Sequence, residues 1–288
     1  MEPLRIVSIG AHPADIFDQS GGAMAHHVKR GDYVACVCLT HGVRVHDEVI
    51  SSSMFHQDQV PDGAELLTLM KNRVDVKANE VKAACKILGI KDVYFFGMDD
   101  AVLLVTEQSV KRLARVLREL KPDIVLTHFP KENDGLTHPH AVAGQIVVHA
   151  IGFAGCVDPG DRNPPHYVAQ VFFFGHGAAT VRRNVWDSEG GYYNDVFIDI
   201  EDVVEKKLAA LDCMVSQGYS GACARKRIET DDGLFGRVGS ASCSYAEGFI
   251  SVNAETHYYL PVTDHALEFA RLSDHEQIAR RHRRISVD

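Results

Sequence analysis

Histidine is over-used in this chain: 16 of 288 residues. Imidazole both ligates metals and moves protons near neutral pH. Four of the histidines close short apolar runs: His12 in Gly10-Ala11-His12-Pro13-Ala14-Asp15, His41 in Thr40-His41-Gly42, His128 in Leu126-Thr127-His128 and His176 in Phe174-Gly175-His176. Ligands of open α/β sheets bind beyond the carboxyl ends of the strands, so these positions are candidates for one shared site. His12 and Asp15 are three residues apart. With Pro13 opening a helical turn, their side chains share one face and form a bidentate metal clip. A catalytic zinc keeps three protein ligands and one open position. From the residues alone the third ligand is open between His138 and His140 of Thr137-His138-Pro139-His140. Two imidazoles and one carboxylate also suit ferrous iron, so Zn²⁺ and Fe²⁺ are not separated by ligand type. The plainer reading has Asp15 capping the following helix and His12 in a turn hydrogen bond.

Positioning these residues requires strands that end at them. Arg5–Gly10 reads as a buried strand, followed by a helix over 21–31 and a strand over 33–39. A helical pattern over 73–88 ends at Gly89, and further strands are expected at 92–96, 123–127 and 168–174. Helices are expected at 109–120, 139–151 and 202–216. Strands alternating with helices at this spacing predict an α/β fold, Rossmann-like and doubly wound, with a mostly parallel sheet flanked by helices. The 42–75 stretch has little periodicity and three consecutive serines, and reads as a long loop or lid. No linker interrupts the pattern, so one domain over 1–288 with a helical C-terminal tail is expected. The basic tail Arg280-Arg281-His282-Arg283-Arg284 reads as a solvated helix end.

Composition narrows the function classes. Acidic residues number 39 against 30 basic ones, for a formal charge of −9. A duplex nucleic-acid binder needs a basic face, so no nucleic-acid partner is expected. No apolar run approaches the roughly 18 residues of a bilayer span, and the N-terminus has no basic region leading into an apolar segment. Neither a membrane partner nor a signal peptide is expected. The seven cysteines are scattered without a CxxC pair, which fits reduced thiols and a cytoplasmic protein.

The strand leading into Ala11-His12-Pro13-Ala14-Asp15, then Gly21-Gly22-Ala23, resembles the zinc-dependent LmbE-like (PIG-L) de-N-acetylase family, whose signature is AHPDD. The 134–144 stretch lies where that family carries its HPDH motif, and the similarity extends to Tyr245-Ala246-Glu247-Gly248. The resemblance implies that His12 and Asp15 are zinc ligands. It also exposes a departure: the family's first signature Asp, the base of its deacetylases, is replaced by Ala14.

The sequence looks like the 4-oxalomesaconate hydratase branch of the same superfamily, which carries AHSAD at this place. Aligned with that branch without a gap, the 125–139 stretch makes His138 the third ligand. Phe174-Gly175-His176 is similar to the branch's FEPH, which implies that His176 is the catalytic histidine. The branch's GERGES loop is replaced by a longer one, 42–48, and both Glu48 and His46 are candidates for its catalytic glutamate.

The resemblance thus implies a zinc-dependent hydratase adding water to a small unsaturated carboxylic acid in aromatic-acid catabolism. Arg44 would bind a substrate carboxylate in bidentate fashion, or else form a surface salt bridge. His140 and His41 are candidates for the wall of the substrate pocket, His41 and His128 also for hydrogen-bonded supports behind the ligands. Glu247 is expected to anchor a backbone turn rather than touch substrate. The runner-up is a zinc de-N-acetylase or amidohydrolase that has recruited another base; a third reading is a non-catalytic metal-binding protein. A small-molecule carboxylate partner and a homo-oligomer complete the expectations.

Overall fold

The computed structural model describes residues 2–132, 135–174, 194–237 and 242–282; His176 lies outside them. The strands are β1 (Arg5–Gly10), β2 (Tyr33–Thr40), β3 (Asp92–Met98), β4 (Ile124–His128), β5 (Gln170–Phe174), β6 (Val196–Asp199) and β7 (Ala246–Ser251). The helices are α1 (Asp15–Arg30), α2 (Ser53–Phe55), α3 (Gly63–Leu88), α4 (Glu107–Leu120), α5 (Pro139–Ala154), α6 (Val204–Leu211), α7 (Ala222–Arg227), α8 (Gly233–Arg237), α9 (Asp264–Phe269) and α10 (Asp274–Arg280).

The strands form one sheet in the order β3-β2-β1-β4-β5-β7-β6. β3, β2, β1, β4 and β5 are parallel, whereas β7 runs antiparallel to β5 and to β6. The expected doubly wound, mostly parallel sheet is therefore present. Its strands are covered on both faces, which is why they read as continuous apolar runs rather than alternating ones. Alternate residues still choose faces: Ile6, Cys36 and Cys38 pack with α1 and α3, while Val7, Ile9 and Val37 pack with α4 and α5. No helix among the described residues is long and apolar enough to cross a membrane.

Besides the helix expected at 202–216, which spans only Val204–Leu211, two boundaries differ from the sequence reading. The 42–75 stretch is only partly loop, because α3 starts at Gly63 with Asp62 capping the backbone N–H groups of Ala64 and Glu65. Its fully buried residues begin only at Lys77, but Leu66, Leu69, Met70 and Val74 recur at helical spacing before it and are half-buried, a signal the sequence reading passes over. The second difference is α1, which starts at Asp15 rather than 21. It contains a break at Ser20, just before Gly21-Gly22.

The chain leaves β1 toward β2 on one side and returns to β4 on the other. Connections that diverge in this way open a crevice at the carboxyl ends of the two central strands. His12 lies two residues beyond β1, and His128 is the last residue of β4, beside it in the sheet.

Candidate metal centre and active site

Asp15 is the first residue of α1 and nearly buried. Its Oδ2 accepts the His12 backbone N–H at 2.7 Å and lies 3.2 Å from His12 Nδ1. The turn-capping reading and the clip reading thus describe the same carboxylate. Three imidazoles converge on it. His128 Nε2 is 3.1 Å from Oδ2, and His140 Nε2 is 3.5 Å from it and 3.2 Å from His12 Nδ1.

Of the two histidines the sequence left open, His140 is the one whose ring nitrogen stands beside His12 and Asp15; the His138 ring is turned elsewhere. His138 is the residue that caps α5: its Nδ1 accepts the His140 N–H at 3.2 Å, and Pro139 opens the helix. That cap turns the His138 ring back onto the helix end, while His140, in the first turn, reaches the crevice. His138 instead groups with Glu132 and His140, their donor atoms within 4.8 Å of one another.

The donor set fits a divalent ion. Tetrahedral donors about 2.0–2.1 Å from zinc stand about 3.3–3.4 Å from each other. The His12, Asp15 and His140 atoms are separated by 3.2, 3.2 and 3.5 Å. Buried His12 Nε2 and His128 Nδ1, the ring nitrogens opposite those that face Asp15, have no hydrogen-bond partner among the described residues and are not part of this donor set.

The electrostatics are those of a charged cluster in a desolvated place. Burial raises the Asp15 pKa, but His140, His12 and His128 outweigh it and hold the carboxyl well below its ordinary value. Burial pushes His128 down to about 4, helped by His140. His140 moves the other way: Asp15 and Glu132 outweigh its burial and raise it.

The 41–48 loop forms the opposite wall. The His46 ring stands edge-on to that of His12, centroids 4.2 Å apart, and burial followed by the charge of His12 lowers its pKa to about 4. Fully buried Asp100 pins the loop by accepting the Arg44 and Val45 N–H groups at 3.1 and 2.8 Å, with His41 Nδ1 at 3.0 Å. Buried Lys77 donates to the His46 carbonyl at 3.2 Å, and Asp47 receives Arg73 Nε at 3.0 Å. His41 is therefore held by Asp100. Arg44 is exposed and paired with Asp99 at 2.8 Å. Glu48 is exposed at the start of the turn that Asp47 caps. Of the two candidate proton-transfer residues in this loop, His46 is the one facing His12.

Sequence reasoning did not single out Asp100, Lys77, Glu132 or Gln217. Asp100 had a signal, because Asp99-Asp100 follows β3 at the same edge of the sheet. Gln217 had none: it arrives from a distant segment, and its Oε1 accepts the Ala14 N–H at 3.0 Å.

Comparison with known proteins shows the family. The chain is 27% identical over 256 residues to a 4-oxalmesaconate hydratase of Pseudomonas putida, covering 85% of this chain and 87% of that one. It is 30% identical over 191 residues to a 1D-myo-inositol 2-acetamido-2-deoxy-alpha-D-glucopyranoside deacetylase of Streptomyces scabiei, covering 59% and 55%. Its fold matches the crystal structure of GalB, the 4-carboxy-2-hydroxymuconate hydratase of Pseudomonas putida KT2440, with TM-score 0.66, 25% identity, and coverage of 90% of this chain and 100% of that one. These relatives are enzymes of two kinds, a hydratase and a deacetylase. Residues 7–151, half of the chain and including His12, Asp15 and His140, match the model of the PIG-L family (GlcNAc-PI de-N-acetylase), and the chain belongs to that family.

Proposed function

We propose that this chain is a metal-dependent hydratase that adds water to a small, conjugated, unsaturated carboxylic acid, as the 4-oxalmesaconate hydratase does. The observation that carries the reading is Ala14. Its methyl group is fully buried in the core against which Ile16 and Phe17 also pack, so the position offers no carboxylate to deprotonate an attacking water. His46, on the opposite wall, offers an imidazole instead.

In this reading His12, Asp15 and His140 would hold the ion, zinc by preference. When bound, the ion supplies Lewis acidity toward a substrate carbonyl or carboxylate oxygen. The other steps belong to the chain. His46, neutral through burial, accepts or donates a proton at its ring nitrogen; positioned acid–base groups of this kind contribute roughly 10²–10⁴-fold. His176 is proposed as the second proton-transfer group, from the likeness of Phe174-Gly175-His176 to the hydratase branch. His128 holds the Asp15 carboxylate from behind, and Asp100 and Lys77 keep the His46 loop in place. Conjugation to a carbonyl lets the developing charge spread onto oxygen. A small carboxylate ligand, a cytoplasmic setting and a homo-oligomer belong to the same proposal.

A second reading, de-N-acetylation with His46 as a recruited base, is supported by the similarity to the deacetylase. One experiment separates the two. Metal-loaded protein is mixed with 4-oxalomesaconate, and in parallel with an N-acetylglucosaminyl inositol. Loss of the conjugated absorbance without acetate release supports the hydratase. Acetate and free amine from the second substrate, with the first untouched, refute it.

A further inference from the structure

Helix α1 is broken inside. Ser20 has φ −144° and ψ 15°, outside the helical region, and the chain resumes as helix after it. A helix that restarts leaves backbone N–H groups without partners. Glu247 of β7, 1% exposed, supplies the acceptors: Oε1 takes the Gly22 N–H and Oε2 the Ala23 N–H, both at 2.7 Å. The same break is held from the sheet by Ser20 Oγ, 2.9 Å from Ser8 Oγ of β1 and 2.9 Å from the Ile16 carbonyl. The restart admits no side chain, because a Cβ on Gly22 would lie 2.4 Å from Ile200 Cγ2.

The charge of Glu247 is matched by buried Lys207 of α6 at 2.9 Å, which also faces Asp232 at 2.7 Å. A carboxylate at the start of a helical segment meets the positive end of its dipole. What precedes the break is the short segment 15–19, which carries Asp15 to the three imidazoles and Asp18 to Arg227.

We propose that Glu247 is a positioning residue for the metal centre: by capping the internal restart of α1 it fixes the tilt of segment 15–19, and with it the place of the Asp15 carboxylate between His12, His128 and His140. The proposal rests on the metal-site reading above. It gives the buried Glu247–Lys207 pair a task at a distance.

Glu247→Gln tests it. The substitution is isosteric and leaves Lys207 paired with Asp232, so the buried cation keeps a counter-ion. It removes one acceptor oxygen and presents an N–H₂ group to a backbone donor. Zinc affinity is measured by competition with a chromogenic chelator, alongside thermal unfolding and amide hydrogen exchange of the metal-free protein. The expected result is a Kd raised about tenfold or more, as for other groups that orient ligands, with faster exchange at residues 17–19 as well as at Gly22 and Ala23. Leu113→Ala, in the core on the other sheet face, lowers the unfolding temperature and leaves the Kd unchanged. If Glu247→Gln does not fold, Ser20→Ala probes the same break and is expected to weaken zinc binding in the same direction. Unchanged affinity, with exchange altered only at 22 and 23, overturns the proposal. If the wild-type chain binds no zinc, the metal reading fails by itself. Exchange at 17–19 then decides alone: acceleration sustains the positioning role and its absence refutes it.

Discussion

Replacing His140 by Ala removes one of three donor atoms that stand 3.2–3.5 Å apart. What is left is the His12–Asp15 clip, which cannot hold a tetrahedral ion with a single open position. Even a residue that only orients a ligand is worth about 10–100-fold in metal affinity. Loss of a ligand itself is therefore expected to cost at least about 100-fold, or about 2.8 kcal/mol at 1.4 kcal/mol per decade. His138→Ala removes the α5 cap and lowers stability by about 1 kcal/mol, but leaves the trio in place, so its zinc affinity stays within about tenfold of wild type. Chelator competition measures both variants directly.

Thermal unfolding gives a second measure of the same quantity. Zinc at about 1,000 times its Kd stabilises the folded wild type by about 4 kcal/mol. That raises the midpoint by roughly 8 °C at about 2 °C per kcal/mol, the large-domain end of the usual scaling. At the same zinc concentration an about 100-fold loss in His140→Ala leaves about 1.4 kcal/mol, a shift of roughly 3 °C, whereas His138→Ala keeps most of the wild-type shift. A His138→Ala variant that loses zinc while His140→Ala retains it would refute the assignment and return the third position to His138.

Three further outcomes follow from the same geometry. His46→Ala keeps its metal, read by elemental analysis, and loses turnover by roughly 10²–10⁴-fold; retained turnover would remove His46 from proton transfer. Asp100→Asn weakens the clamp on the 41–47 loop, costing about 1–3 kcal/mol at neutral pH. Burial opposes ionisation of Asp100, but His41 and two backbone N–H groups hold its pKa below the ordinary value. A lowered carboxylate pKa contributes stability above the unfolded-state value near 4 and loses it as pH falls through the folded value. The gap between wild type and Asp100→Asn, followed by urea unfolding, is thus expected to be constant above about pH 4 and to close in stronger acid. Ala14→Asp places a carboxylate at a fully buried position packed with apolar groups. It is expected to lower the unfolding temperature and to bring no gain in acetate release; a clear gain would favour the damaged-deacetylase reading.

Much of the frame is legible in the residues because parallel strands buried on both faces must be apolar throughout, and short apolar runs ending at histidine are visible without coordinates. The strand ends at His12 and His128 identify the crevice, and the three-residue spacing of His12 and Asp15 identifies the clip. The first half of α3 is passed over because its helical stripe, Leu66, Leu69, Met70 and Val74, is only half-buried and is blurred by exposed Leu67 and Val76. The strands β6 and β7 are missed because they are short and joined to the sheet only by antiparallel pairing late in the chain. The start of α1 is misplaced for a physical reason: Gly21-Gly22 resembles a helix beginning, and it is one, but of the segment after an internal break whose cap, Glu247, lies 225 residues away.

The choice between His138 and His140 was beyond the sequence. Both are histidines two residues apart, and only the direction of each ring separates them. That direction is set by the α5 cap, which claims the His138 ring nitrogen and leaves His140 to face Asp15. Local spacing determined which residue types stand at the sheet's edge. Packing between distant elements decided which of their atoms meet, because side-chain direction depends on neighbours that chain order does not reveal.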